Sequence, residues 1–171
     1  FLSAGIGVVN DTPVVFRTQS FDDVYGNGLI WTFGGGYMID DINEVRGQFS
    51  YQRAGSDAVS LGTAGTSDLV ATFDDYKVST IEAGYRHYFA PSTERLRPYA
   101  GGVLGISIIP EIDGVLAAPQ AGLARYATDF YDGTAALTIG GTGGVLYELN
   151  ERFDVNGQLG LRYVSGLSAI D

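Results

Sequence analysis

The chain has 171 residues, a formal net charge of −10, 25 glycines and no cysteine. That length fits one domain, and the absence of thiols excludes a disulfide framework or a thiolate metal site. No stretch approaches the roughly 20 continuous apolar residues of a membrane helix, although 45% of the residues are hydrophobic, so the apolar side chains follow some shorter repeat.

That repeat is two. Phe1 opens directly in a strand-like run, with no charged leader and no initiator Met, so a signal peptide, if one existed, is expected to have been removed. The first strand, at about 1–10, alternates Ala4, Ile6 and Val8 with small residues. A second at 29–39 sets Leu29, Trp31, Phe33, Tyr37 and Ile39 on one face. In a third, at 43–54, Val45, Gly47, Phe49 and Tyr51 oppose Glu44, Arg46, Gln48, Ser50 and Gln52. Strands follow at 76–89 (Ile81, Ala83, Tyr85 and Phe89), 97–109 (Ala100, Leu104, Ile106 and Ile108) and 135–149 (Leu137, Ile139, Val145, Tyr147 and Leu149). The last, at 153–165, sets Phe153, Val155, Gly157, Leu159, Leu161 and Tyr163 against Asp154, Asn156, Gln158, Gly160 and Arg162. Alternation of this kind puts the two sets on opposite faces of a strand.

The connections alternate long (Asn10 to Gly28, Gly55 to Asp75, Pro110 to Thr134) and short (Asp40 to Ile42, Ala90 to Leu96, Asn150 to Arg152), and most of the acidic excess lies in the long ones. Those segments should repel nucleic acid and attract divalent or basic partners. A transmembrane barrel has short turns on one side and long loops on the other, turns its apolar row to lipid and its polar row to the lumen. The tyrosines and Phe89 near the short turns are expected to form an aromatic girdle at headgroup level. The reading is therefore all-β: an antiparallel up-and-down transmembrane barrel forming one domain over residues 1–171. Seven strands are visible, whereas closed barrels of this bacterial kind have even counts. An eighth strand is expected, either further along the natural chain or from a neighbouring one, because open edges in lipid cost several kcal/mol for each unpaired group.

The residues resemble the small outer-membrane β-barrels of the OmpA-like and opacity-protein-like superfamily. The resemblance covers the whole chain. It is carried by Ala4-Gly5-Ile6-Gly7-Val8, by Gly34-Gly35-Gly36-Tyr37 leading into Glu44-Val45-Arg46, by Glu82-Ala83-Gly84-Tyr85-Arg86-His87-Tyr88-Phe89, and by Gly160-Leu161-Arg162-Tyr163. It implies eight antiparallel strands, the outer membrane of a Gram-negative envelope, contact with outer-membrane lipid and lipopolysaccharide, and a terminal aromatic residue. Asp171 departs from that last feature.

The inward row carries Glu44, Arg46, Glu82, Arg86, Glu148, Asp154 and Arg162, which should pair across the lumen because an unpaired charge there is costly. The interior of an eight-stranded barrel is just wide enough for side chains to fill, so a structural plug is preferred to a selective pore. The single histidine, His87, sits at the short-turn end beside aromatics and reads as a girdle residue rather than a general base. Asp22, Asp23, Asp74, Asp75, Asp129 and Asp132 could converge on a weak divalent-cation site through oxygen ligands, although a solvated acidic surface is the simpler reading. Asp40-Asp41 reads as turn chemistry. The apolar run from Gly114 to Gly122 is either a docking patch or a segment folded over the barrel mouth. No cofactor motif is present. The functional expectation, resting on the family resemblance, is a non-enzymatic barrel with an anchoring or partner-binding role, the expected partner being another envelope protein. A small-solute or hydrophobic-compound channel and a soluble ligand-binding barrel are the alternatives.

Overall fold

The computed structural model describes residues 1–9, 27–56, 58–64, 67–118, 123–131, 133–150 and 152–165. Among these residues eleven strands run β1 (Leu2–Val9), β2 (Gly28–Met38), β3 (Asn43–Ala54), β4 (Val59–Ala64), β5 (Ser67–Phe73), β6 (Tyr76–Tyr88), β7 (Leu96–Ile109), β8 (Ile112–Ala118), β9 (Leu123–Tyr131), β10 (Thr134–Asn150) and β11 (Phe153–Val164). Seven of them form one antiparallel sheet in the order β1-β2-β3-β6-β7-β10-β11, and the others form a second sheet in the order β4-β5-β8-β9. The seven are those marked by the two-residue repeat. Segments 55–75 and 110–134, expected to be loops, instead carry β4, β5, β8 and β9. Each pair makes a hairpin, and pairing of β5 with β8 joins the hairpins. The apolar run 114–122 lies partly in β8, with 119–122 outside the described residues, as are 10–26 of the first long connection.

The large sheet curls into a half-barrel. Arg162 on β11 reaches Glu82 on β6, three strands away. In a flat sheet these strands would lie about 14 Å apart, so the contact follows the curl. Among the described residues, β1 and β11 each pair on one side only, and a closed barrel is not formed by them.

The two faces differ as the alternation requires, but with the polarity of a water-soluble sheet reversed. Twenty-eight large apolar side chains are exposed and only nine apolar residues are buried among those described. The convex face presents Trp31, Phe33, Ile81, Leu104, Ile106, Leu137, Ile139 and Leu159, while Glu44, Glu82, Arg86 and Arg97 are buried on the concave face.

Three layers stack along the concave face. Near the short turns lie the charged groups and Tyr88 and Tyr99. Above them Thr80, Ser107 and Thr138 form a buried hydroxyl chain across β6, β7 and β10, with O···O distances of 2.8 and 2.6 Å. Above that, Ala54, Tyr76, Val78, Ile109 and Ile112 form an apolar cluster with Phe73 against it, where the two sheets meet. The backbone N–H of Asp74 donates to the Asp113 carbonyl at 2.9 Å, extending the β5–β8 pairing by one residue beside this cluster.

Glycine makes the charged layer possible. Across the strand ladders Arg86 faces Gly101, Glu82 faces Gly105, Arg162 faces Gly140, and Tyr99 and Gln158 both face Gly144. Arg46 has glycine on both sides, Gly36 and Gly84. A Cβ at Gly105 would stand 2.9 Å from Glu82 Cγ, and one at Gly144 only 2.7 Å from Tyr99 Cζ. Long side chains can therefore lie flat over the neighbouring strand.

The short turns are built by side-chain acceptors. Asp40 Oδ1 accepts from the N–H groups of Ile42 (2.9 Å) and Asn43 (2.8 Å), and Asn150 Oδ1 accepts from Arg152 and Phe153 in the same way. These are the Asx turns that favour Asp and Asn at such positions. Arg97 Nη2 donates to the Asp41 carbonyl and Ser92 Oγ to the Asp41 carboxylate, which ties one turn to the next.

Two measurements follow from this architecture. Gly144→Val should displace Tyr99 and lower the denaturation midpoint, at a cost of about 1–3 kcal/mol typical of overpacking. The Asp40 carboxyl is held below its ordinary value of 3.8 by the Asn43 side chain and then by the Ile42 N–H. Its contribution to stability is therefore complete above that value and is lost as the pH falls through the lowered folded one. Unfolding of the wild type and Asp40→Ala compared across this range should show a difference that closes in acid.

Candidate functional site

The concave layer next to the short turns holds the buried charged residues Glu44 on β3, Glu82 and Arg86 on β6 and Arg97 on β7, with Arg162 reaching in from β11. Its strongest bond is the two-pronged pair of Arg162 with Glu82: Nε to Oε1 at 2.6 Å and Nη2 to Oε2 at 2.9 Å. The Glu82 side chain is 1% exposed and that of Arg162 26%. Arg86 donates to Gln158 Oε1 and lies 4.2 Å from the centre of the Tyr99 ring. The Tyr99 hydroxyl donates toward Asn156 and Gln158 at 2.9 and 3.1 Å. Arg97 stacks over Tyr88 at 4.1 Å, and the Tyr88 hydroxyl donates to Glu44 Oε2 at 2.5 Å. Cation–π stacking of this sort is worth ~0.5–2 kcal/mol, more when desolvated.

Of the seven inward charges expected to pair, the structure joins Glu82 with Arg162. Arg46 instead donates to Gln48 Oε1 at 2.9 Å. Glu44, fully buried, is bonded through Tyr88, and its Oε1 has no partner among the described residues, as is true of Arg97 Nε. Glu148 and Asp154 stand opposite each other on β10 and β11, a like-charged pair beside the last short turn. The network is thus as much arginine–aromatic and arginine–amide as ionic.

Tyr88 and Tyr99, which are not in the expected outward row, point inward and carry the network. Strand parity was the available signal, since Tyr88 lies an even number of residues from Glu82 and Arg86. Tyr37, Tyr85, Phe89, Tyr147 and Phe153 do lie exposed on the convex face at the short-turn end. His87 joins them there, with Nδ1 2.9 Å from Asn43 Oδ1 and its ring edge-on to Phe89.

The described acidic side chains do not gather. Asp75 pairs with Arg53 at 2.6 Å in a partly exposed bridge, of the sort that contributes little, and Asp74 is exposed. Asp22, Asp23 and Asp132 lie outside the described residues, and Asp129 falls within β9, where only the backbone is described. Among the described residues no three His, Cys, Asp or Glu side chains are grouped to hold a metal.

Removing Arg162 leaves a buried Glu82 unpaired, so Arg162→Ala should lower stability by about 3–5 kcal/mol, the usual result of breaking a buried pair. Glu82→Gln combined with Arg162→Ala should recover part of that loss. A double-mutant cycle read by denaturant unfolding checks both values.

Comparison of the chain with protein-family models, with curated proteins and with solved structures finds no match.

Proposed function

We propose that this protein is an integral outer-membrane β-barrel whose wall anchors it in lipid. In this reading its interior is filled by its own side chains, and its work is structural or partner-binding at the outer face. The observation that carries the proposal is the reversed polarity of the large sheet, with apolar side chains over the convex face and arginine and glutamate on the concave one. In water such a wall would expose apolar surface at a cost of ~25 cal/mol per Å² and exceed the patch size that soluble monomers tolerate. In lipid the same wall is favourable. From Leu96 to Ile108 the outward row of β7 runs about 40 Å along the strand at ~3.3 Å per residue. At a tilt near 40° this projects to roughly 30 Å, close to the apolar band of a barrel with its girdles.

A filled interior is supported by the hydroxyl chain and the apolar cluster standing above the charged layer. Together they leave successive polar and apolar obstacles along the concave face.

The chain has one tryptophan, and Trp31 is exposed on the convex face. After reconstitution, brominated acyl chains should quench Trp31 fluorescence while aqueous iodide should not. The converse pattern in detergent-free buffer would support a soluble barrel and defeat the membrane reading. Planar-bilayer recording of the inserted protein should be silent. Discrete conductance altered by Glu82→Ala and Arg86→Ala would replace the filled interior with a channel.

A further inference from the structure

A cavity of about 470 Å³ lies between two short turns, lined by Arg95, Glu148, Leu149, Asn150 and Arg152. It is separate from the concave network. The turn before β7 is tied to β10 there, the Glu148 N–H donating to the Arg95 carbonyl at 2.8 Å, and Asn150 Oδ1 is occupied in capping its own turn. The register of β10 with β11 shifts between Glu148 and Asn150, so Leu149 sits at a β-bulge, a device that re-aims side chains at the end of a ladder. Among the described residues neither the Arg95 nor the Arg152 guanidinium has a hydrogen-bond or ion-pair partner.

Position decides what fits. Leu149 belongs to the convex apolar row, and Tyr147, Leu96 and Phe153 stand exposed beside it, Tyr147 opposite Leu96 and Asn150 opposite Phe153. The cavity therefore straddles the seam between the polar turns and the apolar wall. Two guanidiniums can hold a phosphate through paired N–H donors. The carboxylate of Glu148 would repel a simple anion but accept hydrogen bonds from a primary ammonium. An apolar tail leaving this site would run down the Leu149 side of the wall.

We propose that the Arg95–Arg152 cleft binds one phospholipid with a zwitterionic phosphate–primary-ammonium headgroup, the phosphate on the two arginines and the ammonium on Glu148. The site rests on the membrane reading above. The test uses the whole chain in nanodiscs of phosphatidylcholine doped with phosphatidylethanolamine or phosphatidylglycerol, followed by native mass spectrometry during stepwise delipidation.

One phosphatidylethanolamine per protein should survive delipidation at least five-fold better than either other lipid. Arg95→Ala with Arg152→Ala should abolish that retention, and Glu148→Gln should remove the preference for ethanolamine over choline while keeping phosphate-dependent binding. Equal retention of all three lipids, or a double variant that behaves as wild type, would overturn the site while Trp31 quenching by brominated lipid still stood. Absence of that quenching would overturn the site together with the membrane reading.

Discussion

On the concave face of the curled sheet, neighbouring strands compete for a volume too small for long side chains on both, and the chain resolves that competition with glycine. Arg46, Glu82, Arg86, Tyr99, Gln158 and Arg162 each face glycine on at least one adjacent strand. Only with Cβ atoms absent there can the guanidiniums lie across the ladder instead of standing into the interior. The bond from β6 to β11 depends on this arrangement: Arg162 Cγ occupies the space over Gly140, and Glu82 Cγ that over Gly105. The glycine content and the charge pattern are two halves of one packing solution.

The same crowding sets the chemistry of the interior. The four arginines at this level, Arg46, Arg86, Arg97 and Arg162, outnumber the two glutamates Glu44 and Glu82, so the guanidiniums take amide oxygens, a backbone carbonyl and aromatic faces as further partners. Planar, delocalised guanidinium suits such mixed contacts better than an ammonium would. Satisfaction is incomplete at Glu44 Oε1 and Arg97 Nε, and a buried orphan of this kind costs about 1–3 kcal/mol or more when charged. Both orphans lie beside the rings that the network uses, where a ring supplies a face but no second lone pair or proton.

The seven strands of the large sheet were legible because side-chain direction repeats every two residues and one face is uniformly apolar. Their ends fall within about two residues of those read from the pattern, an uncertainty inherent in such boundaries. The second sheet was not legible. Its strands are short, and Gly62, Asp68, Asp113 and Gly114 interrupt any alternation. The pairing of Val70–Phe73 with Gly114–Ala117 that holds it together is non-local, so no window of sequence carries it. In the site, parity placed Glu44, Glu82, Arg86 and Arg162 on the inner face. It could not choose partners, since whether Glu44 meets an arginine or Tyr88 depends on rotamers and on which glycine leaves room. Tyr88 and Tyr99 were assigned to neither face, although the two-residue count from Glu82 and from Ala100 puts both inside.

The two hairpins that pair with each other also bear on how the chain assembles. Among the described strands of the large sheet, β3–β6 and β7–β10 join strands that are not consecutive, and β4–β5 and β8–β9 are the hairpins lying between them. Once each hairpin has zipped, the ends it joins are already near one another, and the entropic cost of closing the wider loop has largely been met. The β3–β6 and β7–β10 pairings are then short-range events in effect, so the order in which those strands come together is written into nested turns.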